Sequence, residues 1–94
     1  MTVVRIVRMQ FAPKEVRKFL EIFSQHEHSI RSFEGCRYLD LLQDVDHGNV
    51  FVTISHWKDE ASLEHYRNSS LFRNTWNKVK PLFEKKSQAF SLKK

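Results

Sequence analysis

Two β-rich runs, Tyr38-Leu39-Asp40-Leu41-Leu42-Gln43 and Val50-Phe51-Val52-Thr53-Ile54-Ser55-His56-Trp57, flank the polar, turn-forming stretch Asp46-His47-Gly48-Asn49. So short a connection makes a hairpin, and the two runs are antiparallel neighbours. The rest of the chain must be arranged around that pair. Residues 3–11 are β-branched and alternate imperfectly, which predicts a first strand with both faces partly covered. Pro13 then stands where proline is best tolerated, in the first turn of a helix. Val16, Phe19, Leu20, Phe23 and Ile30 follow at helical spacing among charged residues, predicting an amphipathic helix over residues 13–32.

Phe33-Glu34-Gly35-Cys36 ends that helix, because glycine adopts the left-handed backbone that turns the chain into the next strand. Beyond the hairpin, the Asp59 carboxylate can accept amide hydrogens of a first helical turn. Leu63 and Tyr66 share the apolar side of this short helix, which should halt near Asn68. Ser69 or Ser70 caps another helix, in which Phe72, Trp76, Val79 and Phe83 recur at steps of four, three and four. Pro81 lies inside that pattern and should kink or end the helix, since it lacks an amide hydrogen. Gln88-Ala89-Phe90-Ser91-Leu92 alternates as a last strand.

The order is β-α-β-β-α-β with the second helical region split. Right-handed crossovers then give an α+β, ferredoxin-like domain over residues 1–94, with a four-stranded antiparallel sheet under helices on one face. The other face is left bare, although strands one to three carry apolar or aromatic residues at both parities. Eight phenylalanines are also many for a 94-residue core, and burial of each contributes about 1.5–3 kcal/mol. A second copy of the sheet is the simplest cover, so a homodimer is expected.

Several classes are set aside by composition. The lone Cys36 cannot form an internal disulfide, and Arg5 and Arg8 interrupt the apolar residues of the N-terminus where a signal peptide would be continuous. A soluble, cytoplasmic protein with no membrane partner is expected. The net charge of +5 invites a nucleic-acid reading, but residues 1–66 hold eight Lys/Arg against ten Asp/Glu, and residues 67–94 eight against one. That C-terminal excess falls between apolar positions of a helix and strand, so it reads first as a solvated face, then as attraction for an anionic ligand, and last as nucleic-acid binding. No nucleic-acid signature supports the last.

Three segments carry a family resemblance. Phe33-Glu34-Gly35-Cys36 is similar to a Glu-Pro-Gly-Cys turn without its proline. Ser55-His56-Trp57-Lys58-Asp59-Glu60-Ala61-Ser62-Leu63 has a tryptophan, acidic cap, small residue and leucine in order. Tyr66-Arg67-Asn68-Ser69-Ser70-Leu71-Phe72 is similar to a His-x-x-Ser-x-x-Phe link, with tyrosine for the histidine. Together they resemble the antibiotic-biosynthesis-monooxygenase domains of the dimeric α/β-barrel superfamily. The resemblance implies two sheets facing each other in a homodimeric barrel, and a pocket in each subunit between sheet and helices. It also implies a cofactor-independent monooxygenase of small aromatic, phenolic or quinol substrates, with molecular oxygen as co-substrate and no metal. Such an enzyme helps its substrate lose a proton so that the electron-rich anion reduces oxygen directly; it needs a dry pocket, a proton acceptor and oxyanion donors. The haem-degrading branch fits poorly: Trp76 stands near the histidine ligand's place, Tyr66 near a tryptophan's, and Val7, Arg8 and Met9 offer no asparagine. The alternative from another class is a non-catalytic domain that binds a small aromatic molecule.

Candidate site residues follow. Tyr66 is the leading position, because it joins a helical stripe to a polar tip that can hold a phenolic oxygen, though its ordinary pKa near 10 makes it a poor base; a core tyrosine with its hydroxyl at the surface is an equal alternative. Histidines are better acceptors near neutrality. His26 follows Phe23 on the inward face of helix one, and His56 is in phase with Val52 and Ile54, so these two rank first as candidate bases, although a satisfied structural histidine is the default reading of each. His28 and His65 rank lower, and His47 lies in the hairpin turn. Trp76 and Phe72 stand on one stripe as pocket wall or plain core. Arg8 and Tyr38 can supply an oxyanion donor and a polar wall if their strand faces point toward the helices, a parity the sequence leaves open. His26 and His28 lie about 200° apart on a helix and cannot share a metal ion.

Overall fold

A computed structural model describes residues 1–94. Strand β1 (Val3–Phe11) runs through a 3-10 turn at Pro13–Glu15 into helix α1 (Val16–Arg31), and the hairpin strands β2 (Cys36–Gln43) and β3 (Val50–Trp57) follow. Helices α2 (Glu60–Arg67) and α3 (Ser70–Val79), a second 3-10 turn (Lys80–Leu82) and strand β4 (Phe83–Lys93) complete the chain. All neighbours in the sheet are antiparallel and their order is β2-β3-β1-β4. This is the ferredoxin-like arrangement expected from the order of segments. β1 is central because its β-branched residues pair on both sides: Val7 lies opposite Thr53 of β3 and Ala89 of β4.

Local chemistry sets the helix boundaries. Asp59 accepts the Ser62 amide at 2.8 Å and starts α2. Ser69, not Ser70, caps α3 by accepting the Phe72 amide at 3.1 Å. Pro81 stops α3 at Val79, and the chain tightens into the 3-10 turn before leaving as a strand. The last strand therefore starts five residues earlier than the alternation at Gln88–Leu92 predicts, at Phe83. Its first half, Glu84-Lys85-Lys86, lies at a sheet edge in solvent, so no apolar alternation marks it. Phe83 accordingly pairs with Phe11 across the sheet and does not end the helical stripe. In α1, Phe19, Ile22 and Ile30 are buried while Leu20 is exposed, because the buried stripe runs one step to the side of Leu20.

The helices cover one face, where odd-numbered residues of β1 and β3 point. The packing there falls into two clusters. Met9, Phe11, Phe19, Ile22, Phe51, Val79 and Leu82 form the larger, in which Phe11 stacks on Phe19 at 4.1 Å between ring centroids. Val3, Trp57 and Leu63, with Phe33, Cys36 and Tyr66 against them, form the smaller. Val4, Ile6, Val52, Ile54, Leu42, Phe90 and Leu92 lie at the alternate positions on the other face, with Leu42, Phe90 and Leu92 exposed. No helix is long and apolar enough to cross a membrane.

Candidate functional site

Between the two clusters the covered face leaves a cavity of about 290 Å3. Its floor is the sheet: Arg5, Val7 and Met9 from β1, Leu39 from β2, Thr53, Ser55 and Trp57 from β3, and Ser87 and Ala89 from β4. Phe19, Phe23 and Ile30 of α1, Leu63, Tyr66 and Arg67 of α2, and Phe72, Thr75, Trp76 and Val79 of α3 close it from above. The walls are mainly apolar, as small-molecule sites are. A closed apolar cavity of about 150 Å3 takes up one benzene, so on that scale the space suits a molecule of two fused rings.

Aromatic rings follow one another along the wall. Trp57 and Tyr66 stack with centroids 4.7 Å apart, Tyr66 meets Phe72 edge-on at 5.3 Å, and Phe72 stacks on Trp76 at 5.8 Å. The α2–α3 link holds this order. The Ser69 hydroxyl donates to the Tyr66 carbonyl at 2.6 Å while accepting the Phe72 amide, so one side chain fixes both ends of the joint. Gly35 sets the approach of α2. Its φ is +87°, and a Cβ placed there would stand 2.5 Å from the Ser62 Cβ. The Gly35 carbonyl also accepts the Lys58 amide at 2.8 Å, tying the end of β3 to the turn before β2.

Polar groups in the cavity are few. The Trp57 indole donates to Ser55 Oγ at 3.0 Å, and Thr75 Oγ1 donates to the Leu71 carbonyl at 2.8 Å. Burial pushes the Tyr66 hydroxyl well above the ordinary tyrosine range, with a lesser contribution from nearby Cys36. Tyr66 therefore stays protonated, a state suited to donating a hydrogen bond and not to accepting a proton. Arg5 reaches Ser91 Oγ with one guanidinium nitrogen at 2.8 Å. Burial and then the charge of Arg67 push its pKa down, with Glu64 partly offsetting them. Arg67 itself lies 3.4 Å from Glu64. No histidine and no carboxylate lines the cavity.

Of the residues singled out in the sequence, Tyr66, Phe72 and Trp76 line one cavity and the rest do not. His26 is half-buried on α1 but turns toward α3, where Nε2 lies 3.3 Å from the Lys78 ammonium; burial and that charge lower its pKa. His56, Tyr38 and Arg8 lie on the open face of the sheet, because the inward parity of β1 and β3 is the odd one. There the His56 and Tyr38 rings are 4.8 Å apart, the Tyr38 hydroxyl donates to Asp40 at 3.1 Å, and Arg8 is exposed opposite Val52. His28 and His65 are exposed, and His47 stands in the hairpin 3.4 Å from Asp44. No group of three or more His, Cys, Asp or Glu side chains is placed to share a metal ion.

Sequence reasoning missed Arg5, Arg67 and the wall position of Trp57. The signal for Arg5 was present: it shares parity with Val3, Val7, Met9 and Phe11, so a strand whose odd face is otherwise apolar carries one cation inward.

Known proteins are similar to this chain in sequence and in fold. YcnE of Bacillus subtilis (strain 168) is 35% identical over 71 residues, 74% of each chain. The structure of a conserved protein from Methanosarcina mazei Go1 superimposes with a TM-score of 0.95 at 19% identity, covering 100% of this chain and 93% of that one. SnoaB, a cofactor-independent oxygenase from Streptomyces nogalater, superimposes with a TM-score of 0.86 at 17% identity, over 99% of this chain and 92% of its own. Residues 2–78 match the family described as antibiotic biosynthesis monooxygenase, and the chain belongs to that family.

Proposed function

We propose that this protein is a cofactor-independent monooxygenase of a small phenolic or quinol aromatic, bound in the cavity beneath α2 and α3. The observation that carries the reading is the composition of the wall: stacked aromatic rings, two arginines and a protonated tyrosine, with no carboxylate among the lining residues. Cations beside a bound phenol favour its anion, because an opposite charge a few ångströms away lowers a hydroxyl's pKa. The Tyr66 hydroxyl donates to the substrate oxygen and orients the ring against Trp57 and Phe72. With no imidazole or carboxylate on the wall, the proton leaves to water. The electron-rich anion then reduces oxygen: one atom of O2 enters the ring to give the quinone, the other leaves as water, and the substrate supplies all the electrons.

Family membership and the cofactor-independent oxygenase among its structural likenesses support this chemistry. We further infer a homodimer through the open sheet face, whose apolar residues need a cover. The missing base favours one second reading, a domain that binds a small aromatic molecule without turning it over.

Oxygen uptake and quinone absorbance, followed across a panel of naphthols and naphthohydroquinones above their uncatalysed rates, test the oxygenase reading. Turnover by the wild type, reduced about tenfold or more in Tyr66→Phe, is expected for loss of a donor to the developing oxyanion. Tight binding without oxygen uptake across the panel would establish the second reading instead.

A further inference from the structure

A guanidinium in an apolar wall normally has a carboxylate partner, because an unpaired charge withdrawn from water is costly. Arg5 has none. Its side chain bonds only the neutral Ser91 hydroxyl, and most of its donors are left over. Arg67 lines the same cavity and is the next charge acting on Arg5 after burial itself, so two like charges are held toward one space. Glu64 lies 3.4 Å from Arg67, with both side chains largely in solvent, and offsets part of the effect of Arg67 on Arg5, but it is not part of the cavity wall. Folding therefore leaves the cavity with an excess of positive charge: Arg67 shares Glu64 at its exposed rim, and Arg5 has no carboxylate of its own. The approach is basic as well: a shallow cleft that shares Trp76 and Ser87 with the cavity carries Lys80, Lys85 and Lys86 against Glu84.

We propose that the cavity takes an aromatic acid, a fused-ring or substituted phenol bearing a carboxylate, with the carboxylate on Arg5 and Arg67 and the ring among Trp57, Tyr66, Phe72 and Trp76. This rests on the cavity being the ligand site, and it names the class of substrate. The planar fork of a guanidinium matches a carboxylate in two parallel hydrogen bonds, which a neutral phenol cannot reproduce. Arg5 is on this reading the specificity-determining residue: it selects the charged ligand and fixes which end of it faces Tyr66. An anion also relieves the repulsion between Arg5 and Arg67, so ligand binding should stabilise the fold as it fills the space.

Calorimetric titration of the full chain with 2-naphthoate and with 2-naphthol at neutral pH is the test. The wild type should bind the carboxylate about tenfold more tightly or better, as hydrogen bonds to charged groups allow, and the naphthoate should raise the melting temperature. Arg5→Met should lose the preference while still binding 2-naphthol. Should that variant fail to fold, Arg5→Lys decides: a point charge without the fork should weaken naphthoate binding several-fold and leave 2-naphthol unchanged. Equal affinity of the wild type for the two probes overturns this inference and leaves the cavity as a ligand site. A preference that survives in the Arg5 variants also overturns it. Binding of neither probe overturns the ligand-site reading, and this inference with it.

Discussion

The two faces of the sheet are built from the same strands and share much of their composition, yet they do different things. Toward the helices, β1 sends Val3, Arg5, Val7, Met9 and Phe11; away from them it sends Val4, Ile6, Arg8 and Gln10. Each face receives aliphatic residues and one arginine. The difference lies in what stands opposite. Helical aromatics meet the first set, so Phe11 is fully buried and Arg5 becomes a cation in a cavity wall. Nothing in the chain meets the second set, so Phe90 and Leu92 stay about half exposed and Arg8 is an ordinary surface charge. A residue type acquires a chemical role here from the face it occupies.

The largest expected effect separates the faces directly. Phe11→Ala removes the ring that touches Phe19, Phe51 and Phe83, and should cost about 3–5 kcal/mol in urea unfolding, as deletions of buried phenylalanine do. Phe90→Lys, on the open face, should change the stability of a single protomer by no more than about 0.5 kcal/mol. Its effect should appear in association instead. Sedimentation of the wild type should give twice the 11.3 kDa chain mass, and its unfolding midpoint should rise with concentration, whereas Phe90→Lys should lose both properties. A wild type that sediments as a single chain would remove the proposed cover from the open face.

That same comparison explains what was legible in the sequence. The order of elements, the Asp59 cap and the stop at Pro81 depend on neighbours close in the chain, and local residues declare them. Tyr66, Phe72 and Trp76 line one cavity for a similar reason, since helical spacing places them on a common side. Strand parity is different. Because the residues of both parities are apolar, alternation alone does not say which set meets the helices; His56 is expected on a face it does not occupy, and the parity left open for Tyr38 and Arg8 resolves to the outer face. His26 shows a further limit: an inward helical stripe is wider than the cavity beneath it, and its edge packs against a neighbouring helix, here beside Lys78. The start of β4 is not legible in the sequence because an edge strand in solvent has no need of apolar alternation.

A smaller effect sharpens the geometry of the covered face. Gly35→Ala puts a Cβ into a left-handed backbone and against Ser62, at the foot of the helix that carries Tyr66 and Arg67. The cost should be about 1–3 kcal/mol, read as a lower urea midpoint with an unchanged slope. If the strain is relieved by displacing α2, ligand affinity in the cavity should fall as well. A variant with wild-type stability and affinity would mean that this turn does not set the position of α2.

The smallest expected effect is a dependence on pH at the margin of the helical layer. His26 has a pKa below its ordinary value of 6.5, first because it is partly buried and then because the Lys78 ammonium lies 3.3 Å from its ring. The unfolded chain therefore binds this proton more readily than the folded one. Stability from this group is fully present above the unfolded value and is lost as pH falls below it toward the folded value. Urea midpoints measured at about pH 7.5 and about pH 5.5 should show the wild type losing more stability on acidification than His26→Gln, which has no such proton to gain. The carboxylates contribute to both proteins alike, so the difference between the two slopes isolates the imidazole. Equal slopes would place His26 in an environment no less hospitable to charge than water, and would remove the contact with Lys78 from the account of how α1 and α3 pack.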